Sequence, residues 1–278
     1  MPKPILLIRN KKVSTYYVLG LFGILLSLIW LLMAEWIWKE SMAFALMLFG
    51  AGLTASYIFN VVKLFFSDNK EYSLYHYFLL LALVSFIVAQ INGRNIGHTM
   101  DLFVVSFSLI AMVGRIGCYH AGCCHGIPAS RGTIYAVDFR KFGMKAKWLG
   151  CPLFPTQLFE SIFHALNIIG GVLLILYTGE GVAALFLTVG YAVFRFWIEF
   201  KRGDERPSLL GVSEAQYTST SIVIFMVPVS IVFFPWTLSG ILLILASQFI
   251  FIGLTIYHYQ ERQLKESPNY LTTKKLQN

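Results

Sequence analysis

The chain has 278 residues, of which 57% are hydrophobic and 13% charged, with a formal net charge of +8. An ordinary soluble domain carries about 25% charged residues, so this chain lacks the charged shell that a water-soluble core of its size requires. Its four cysteines all fall between Cys118 and Cys151, which excludes a scattered disulfide framework and directs attention to one stretch of chain.

The apolar residues come in runs of about 17–25, the length a helix needs to cross roughly 30 Å of hydrocarbon. Taken in chain order, these runs predict spans near Tyr16–Trp38, Ser41–Phe66, Leu74–Ile91 and Met100–Cys118. Further spans follow near Pro155–Tyr177, Gly181–Phe200, Ser219–Phe234 and Trp236–Tyr259. The last two meet at Phe234-Pro235-Trp236, as a tight hairpin or one long kinked helix. The predicted fold class is therefore all-α, a polytopic transmembrane helical bundle of seven or eight spans. No short apolar stretch ends in a small-residue cleavage site, so the first span is expected to be retained. Trp36, Trp38, Trp148, Trp197 and Trp236 lie near the proposed span ends, where an interfacial aromatic belt would place them. With no repeat and no linker, residues 1–278 read as one integral membrane domain with a polar tail, Gln260–Asn278.

The connection Tyr119–Phe154 is too long and too polar for a simple turn. It carries Arg131, Arg140, Lys141, Lys145 and Lys147 against one acid, Asp138. A connection beyond about 12–15 residues is usually functional or disordered, and the aromatics and glycines here predict an ordered piece at the interface. Basic residues outside the spans gather on the N-terminal side, with Lys39 and Arg94 opposite. The positive-inside rule would put that side in the cytoplasm. A protein that binds anionic headgroups would hold its basic residues in the same pattern, and both causes stay open.

A charge inside a bilayer costs several kcal/mol, roughly, on any scale, so polar residues within the spans are functional candidates. The segment Gly114-Arg115-Ile116-Gly117-Cys118-Tyr119-His120-Ala121-Gly122-Cys123-Cys124-His125-Gly126 runs from a span into the long connection. It joins a guanidinium suited to phosphate with glycines that let a ligand approach closely; snorkelling and helix packing are the plainer alternatives. Gln157, Glu160 and His164 open the fifth span at intervals of three and four, so they share one helical face. That face must look into the bundle, as a packing network or a binding wall. Tyr191, Arg195 and Glu199 recur every four residues, and Arg202 continues the face; the plain alternative is an i,i+4 ion pair. Cys118, Cys123, Cys124 and Cys151, with His120 and His125, offer the ligand types zinc prefers. Their C-x4-C-C spacing is not the strong C-x2-C pattern, so buried packing, a disulfide and a metal site all stay open.

Together these elements resemble the prolipoprotein diacylglyceryl transferase family of bacterial membrane enzymes. The resemblance rests on Gly114–Gly126, Pro155-Thr156-Gln157-Leu158-Phe159-Glu160, the Tyr191/Arg195/Glu199 helix and Gly211-Val212-Ser213-Glu214-Ala215-Gln216, in that order. It implies transfer of a diacylglyceryl group from phosphatidylglycerol to the lipobox cysteine thiol of a prolipoprotein, in the bacterial cytoplasmic (inner) membrane. The implied partners are phosphatidylglycerol, the signal-peptide/lipobox segment and membrane lipids, with no nucleic acid, no cofactor and no metal. The implied catalytic residues are Arg115, Arg195, Glu199 and His76. Substrate binding is implied for Arg115, Gly126, Gln157, Glu160, Tyr191 and Arg202. Cys118, Ala121 and Cys123 stand where the family signature has asparagines and a glutamate, and Phe154 stands where it has a histidine. Tyr75-His76-Tyr77 takes roughly the place of the family's His-Gly-Gly motif, which leaves His76, His120 and His125 as candidates for the thiol's base. A related headgroup transferase with another acceptor, or a non-catalytic lipid-binding bundle, is the alternative. A channel fits poorly, because the polar residues cluster in one part of the chain.

Overall fold

Hydrocarbon offers no hydrogen-bond partners, so a spanning segment must satisfy its own backbone, and long apolar runs become helices. The structure, a computed structural model, describes residues 2–8, 11–66, 74–204, 208–209, 212–233 and Gly253. Its helices are α1 (Thr15–Ile37), α2 (Met42–Phe66), α3 (Leu74–Ile91), α4 (Ile96–Ala121), α5 (Thr156–Tyr177), α6 (Val182–Glu199) and α7 (Glu214–Phe233). Among the described residues six helices, α1 to α6, are long and apolar enough to cross a membrane. The seventh expected span is covered by α7, which begins earlier, at Glu214. The eighth, Trp236–Tyr259, and the tail lie outside the described residues.

The boundaries of α4 show what hydropathy alone misreads. The window Met100–Cys118 was trimmed by polar residues that turn out to be inside the helix. Asn95 caps its start, accepting from the His98 amide at 3.1 Å, and Gly122 ends it in the left-handed region at φ 75°. Packed on by α1, α3, α5 and α6, α4 is the central post of the bundle. A Cβ on Gly23 of α1 would sit 3.2 Å from the Cα of Ile110, so the glycine lets the two helices approach closely. The outer faces stay apolar. Ile162, Leu166, Ile169 and Leu173 of α5 recur at helical intervals and are exposed, as a surface solvated by acyl chains should be.

Asp101 is buried in α4, and sequence reading did not single it out. Its carboxylate accepts from the backbone amides of Gly181 and Ala184, each at 2.7 Å, so it caps α6 from a neighbouring helix. The same end of the bundle holds the Arg94–Glu40 ion pair.

At the other end, the antiparallel strands β1 (Ile5–Ile8) and β2 (Lys11–Ser14) lead into α1. The Lys3 amide donates to His120 Nδ1 at 2.9 Å, setting the N-terminal segment against the end of α4. The long connection carries secondary structure of its own. Strand β3 (Pro128–Ile134) pairs with β4 (Pro152–Leu153), and two short 3-10 turns lie between them. Tyr135, Phe139, Met144 and Leu153 form a small core of their own. Strands β5 (Ser208–Leu209) and β6 (Val212–Ser213) pair just before α7.

Asp101→Ala is expected to cost about 1–2 kcal/mol, the usual loss for an N-cap favourably placed at a helix dipole, and Asp101→Asn less. Thermal unfolding in detergent measures both. An unchanged melting temperature in Asp101→Ala would show that the cap contributes nothing.

Candidate functional site

The ends of α4 and α6 and the start of α5 are tied together by backbone. The Gly126 amide donates to the Phe154 carbonyl and the Phe154 amide to the Ile127 carbonyl, both at 2.9 Å. From the other side, the Ile127 amide donates to the Lys201 carbonyl at 2.9 Å and the Gly203 amide to the His125 carbonyl at 3.0 Å. Gly126 is the crowded point of this clamp. A Cβ there would lie 2.5 Å from the Phe154 carbonyl oxygen and 2.6 Å from that of Lys201. Only a residue without a side chain permits this approach.

The clamp gathers the polar faces that the sequence placed on separate helices. Gln157, Glu160 and His164 of α5 are all at most 1% exposed. Glu160 carries a carboxylate into this interior, and three guanidinium groups surround it. Arg115 Nε of α4 contacts one carboxylate oxygen. Arg195 Nη1 of α6 and Arg202 Nη1 each lie 3.5 Å from the other. Arg195 also pairs with Glu199 at 2.5 Å, and Arg202 makes a two-pronged contact with Asp204 at 2.7 and 2.8 Å. Three arginines thus meet three carboxylates in a buried cluster. Each charge is affordable there only because the others are present.

A cavity of about 780 Å³ opens beside this cluster. Arg115 and Arg195 line it, whereas their ion-pair partners Glu160 and Glu199 do not. Leu21, Ile24, Ile110 and Ala111 make one part of the wall apolar, while His125, Lys145, Asp204 and Glu214 make the other polar. Tyr17 and Leu21 of α1 line the cavity and are exposed. The long connection roofs it through Met144, Lys145 and Trp148. An amphiphile with an anionic head fits this division of surface.

The structure separates the expected site residues into two groups. Arg115 and Arg195 face the cavity. Gly126, Gln157, Glu160, Tyr191, Glu199 and Arg202 do not line it and instead hold the residues that do. Gln157 Nε2 donates to the Cys123 carbonyl at 2.6 Å and thereby fixes the loop after α4. His76 also stays out of the lining; half-exposed, it pairs with Glu214 at 3.1 Å. Its neighbour Tyr75 is the buried, cavity-lining residue, with its hydroxyl 2.6 Å from Ser219 Oγ. Sequence reading missed Tyr75, Asp204 and Glu214. Each stood in or beside a segment that drew attention for other residues: Tyr75 next to His76, Asp204 two residues after Arg202, and Glu214 within Gly211–Gln216.

The cysteines divide as well. Cys118, Cys123 and Cys124 line the cavity with their sulfurs within 4.8 Å of one another. Cys151 packs against the small core of the long connection, its thiol facing the Lys147 carbonyl at 3.8 Å. All four are free thiols. Hydrogen bonds from Cys118 and Cys123, and then the charges of Arg202 and Arg115, hold the Cys124 thiol well below its usual range, against the effect of burial.

Fold and site together define a multi-pass membrane protein with an arginine-lined cavity. Residues 4–234 match the family described as prolipoprotein diacylglyceryl transferase. The chain belongs to that family. It is 34% identical over 139 residues to a Clostridium perfringens protein, phosphatidylglycerol–prolipoprotein diacylglyceryl transferase 2, covering 48% of this chain and 51% of that one. It is 32% identical over 148 residues to a Clostridium tetani phosphatidylglycerol–prolipoprotein diacylglyceryl transferase, covering 51% and 56%. The chain spans about half the length of the curated relatives it matches.

Two substitutions test this architecture. Glu160→Gln leaves three buried guanidiniums without their shared anion and is expected to destabilise the protein by about 3–5 kcal/mol, read as thermal unfolding in detergent. Gly126→Ala is expected to force the clamp apart. Limited proteolysis should then cut the connection 119–154 at least tenfold faster, roughly the effect of 1.4 kcal/mol of local opening. A proteolysis rate equal to that of the unaltered protein would exclude a tight clamp.

Proposed function

We propose that the protein transfers the diacylglyceryl group of phosphatidylglycerol to the thiol of a lipobox cysteine in a prolipoprotein, in the bacterial cytoplasmic membrane. The observation that carries this reading is the pair Arg115 and Arg195, which line an amphiphilic cavity and pair with buried carboxylates. The apolar part of the wall suits acyl chains. The two guanidiniums suit a phosphodiester.

The chemistry follows from the charges. The acceptor thiol gives up its proton, and its thiolate attacks the diacylglyceryl carbon bonded to the phosphate oxygen. A carbon–sulfur bond forms, the carbon–oxygen bond breaks, and the electron pair leaves on glycerol phosphate. Negative charge grows on the departing phosphate, where a fixed guanidinium in a low-dielectric cavity needs no reorganisation to stabilise it. Arg115, lying in a glycine-rich turn of α4, holds the phosphate. Arg195, fixed between Glu160 and Glu199, stabilises the leaving group. Tyr191 and Arg202 are positioning residues in this scheme. The basic residues at this end of the bundle then lie at the depth of the headgroups, which requires no cytoplasmic exposure of the long connection.

Purified protein, phosphatidylglycerol vesicles and a lipobox peptide, followed by mass spectrometry, test the proposal. The peptide cysteine is expected to gain one diacylglyceryl group. Arg195→Ala should slow the transfer by about 10²–10³-fold, the range for loss of one preorganised donor at a developing anion. Arg195→Lys should not restore the rate, because an ammonium lacks the planar fork. Arg115→Ala should chiefly raise the KM for lipid. Consumption of phosphatidylglycerol with the peptide left unmodified would overturn the assigned acceptor.

A further inference from the structure

The proposed reaction needs the acceptor thiol as a thiolate, and the cavity wall offers two kinds of group toward that task, an imidazole and a set of thiols. His76 is outside the lining and paired with Glu214. His125 lines the cavity; its Nδ1 lies 3.0 Å from the Gly126 carbonyl oxygen, which leaves Nε2 as the nitrogen that can take a proton, and its ring packs on Trp148. The same wall contains three thiols. Cys118 lies one turn beyond Arg115 on the same face of α4, and the chain then turns back to bring Cys123 and Cys124 beside it.

That return is built with some strain. Gly122 takes φ 75°, and Cys124 takes φ 58°, a conformation that residues with a side chain rarely adopt. Two hydrogen bonds hold the loop in this shape, from Gln157 Nε2 to the Cys123 carbonyl and from Thr156 Oγ1 to the Cys124 carbonyl, each 2.6 Å. The result is three sulfurs within 4.8 Å of one another, on a wall that is otherwise open. Tetrahedral zinc with zinc–sulfur bonds of about 2.3 Å spaces its sulfurs about 3.8 Å apart, within reach of small side-chain rotations. Among the described residues no histidine or carboxylate joins the group. Three protein ligands and one vacant direction form the pattern of a catalytic zinc site, as distinct from a closed structural one.

We propose that Cys118, Cys123 and Cys124 hold one thiophilic divalent cation of the zinc class, with its fourth position facing the cavity to receive the acceptor thiol. The inference rests on the transfer reaction proposed above for the acceptor's role, and on the three sulfurs alone for the site. A thiol bound to such a cation is deprotonated outright, its proton passing to water, so no separate base is needed. The coordinated sulfur forms the bond to the diacylglyceryl carbon while the carbon–oxygen bond to phosphate breaks. The product thioether, uncharged and a weaker ligand, then leaves. Arg115, one turn from Cys118 on α4 and lining the same cavity, offsets part of the surplus negative charge of three or four thiolates around one divalent ion. The C-x4-C-C spacing that reads as a weak metal pattern becomes a strong one only through the turn at Gly122 to Cys124.

Cobalt(II) is the probe, added to the full chain purified in detergent under reducing, metal-free conditions. One equivalent is expected to bind with thiolate-to-cobalt charge-transfer absorption. Cys123→Ser and Cys124→Ser should each weaken binding at least tenfold, whereas Cys151→Ser should leave it unchanged. Addition of a lipobox peptide should intensify the charge-transfer band, and the Cys→Ser form of that peptide should not. The proposal is overturned by the absence of stoichiometric binding, by binding that survives both serine variants, or by a disulfide within the trio in the reduced protein. A cobalt band indifferent to the peptide, in a protein that does lipidate it, overturns the open fourth position. Should cobalt bind as expected and the peptide thiol ligate, yet no lipid be transferred, the metal site stands and the transferase reading fails.

Discussion

Glu160 is the constraint on which the rest of the structure depends. A carboxylate with no solvent exposure is tolerated only when its charge is met in full, and here Arg115, Arg195 and Arg202 meet it from three segments of chain. Those segments must therefore converge. The backbone clamp at Gly126 makes that convergence possible, and the central position of α4 supplies the surface against which it forms. Desolvation makes the cluster all-or-none: with every partner present it is rigid, and with one missing the others are stranded.

Rigidity of this kind would serve the proposed transfer, whose main difficulty is charge. Two guanidiniums line a cavity while paired with buried carboxylates, so they are already oriented when a phosphate arrives. Water would have to reorganise to provide the same field. The division of the wall into apolar and polar parts matches the division of the proposed phospholipid substrate.

Some of the site was legible in the sequence and some was not, for identifiable reasons. Gln157, Glu160 and His164 announced a common face because helical periodicity is local, and so did Tyr191, Arg195 and Glu199. Burial of both faces followed from the expense of polar groups in hydrocarbon. Asp101 was invisible, because its partners are amides of residues eighty positions away that carry no side-chain signature. His76 drew attention through its chemistry, yet Tyr75 is the residue that turns inward. One helical position is a rotation of about 100°, and no sequence pattern in α3, which is apolar on every side, fixes that angle.

The sequence by itself determined that this chain is a multi-span helical membrane protein with its chemistry in Gly114–Glu160 and Tyr191–Asp204. The thickness of hydrocarbon sets the length of the apolar runs, and the cost of burying charge marks every exception to them. Only the tertiary structure decided which polar residues line the cavity and which pair with those that do, and that three of the four cysteines meet. Those outcomes depend on the rotation of each helix and on the clamp at Gly126, which are set by packing between segments distant in sequence.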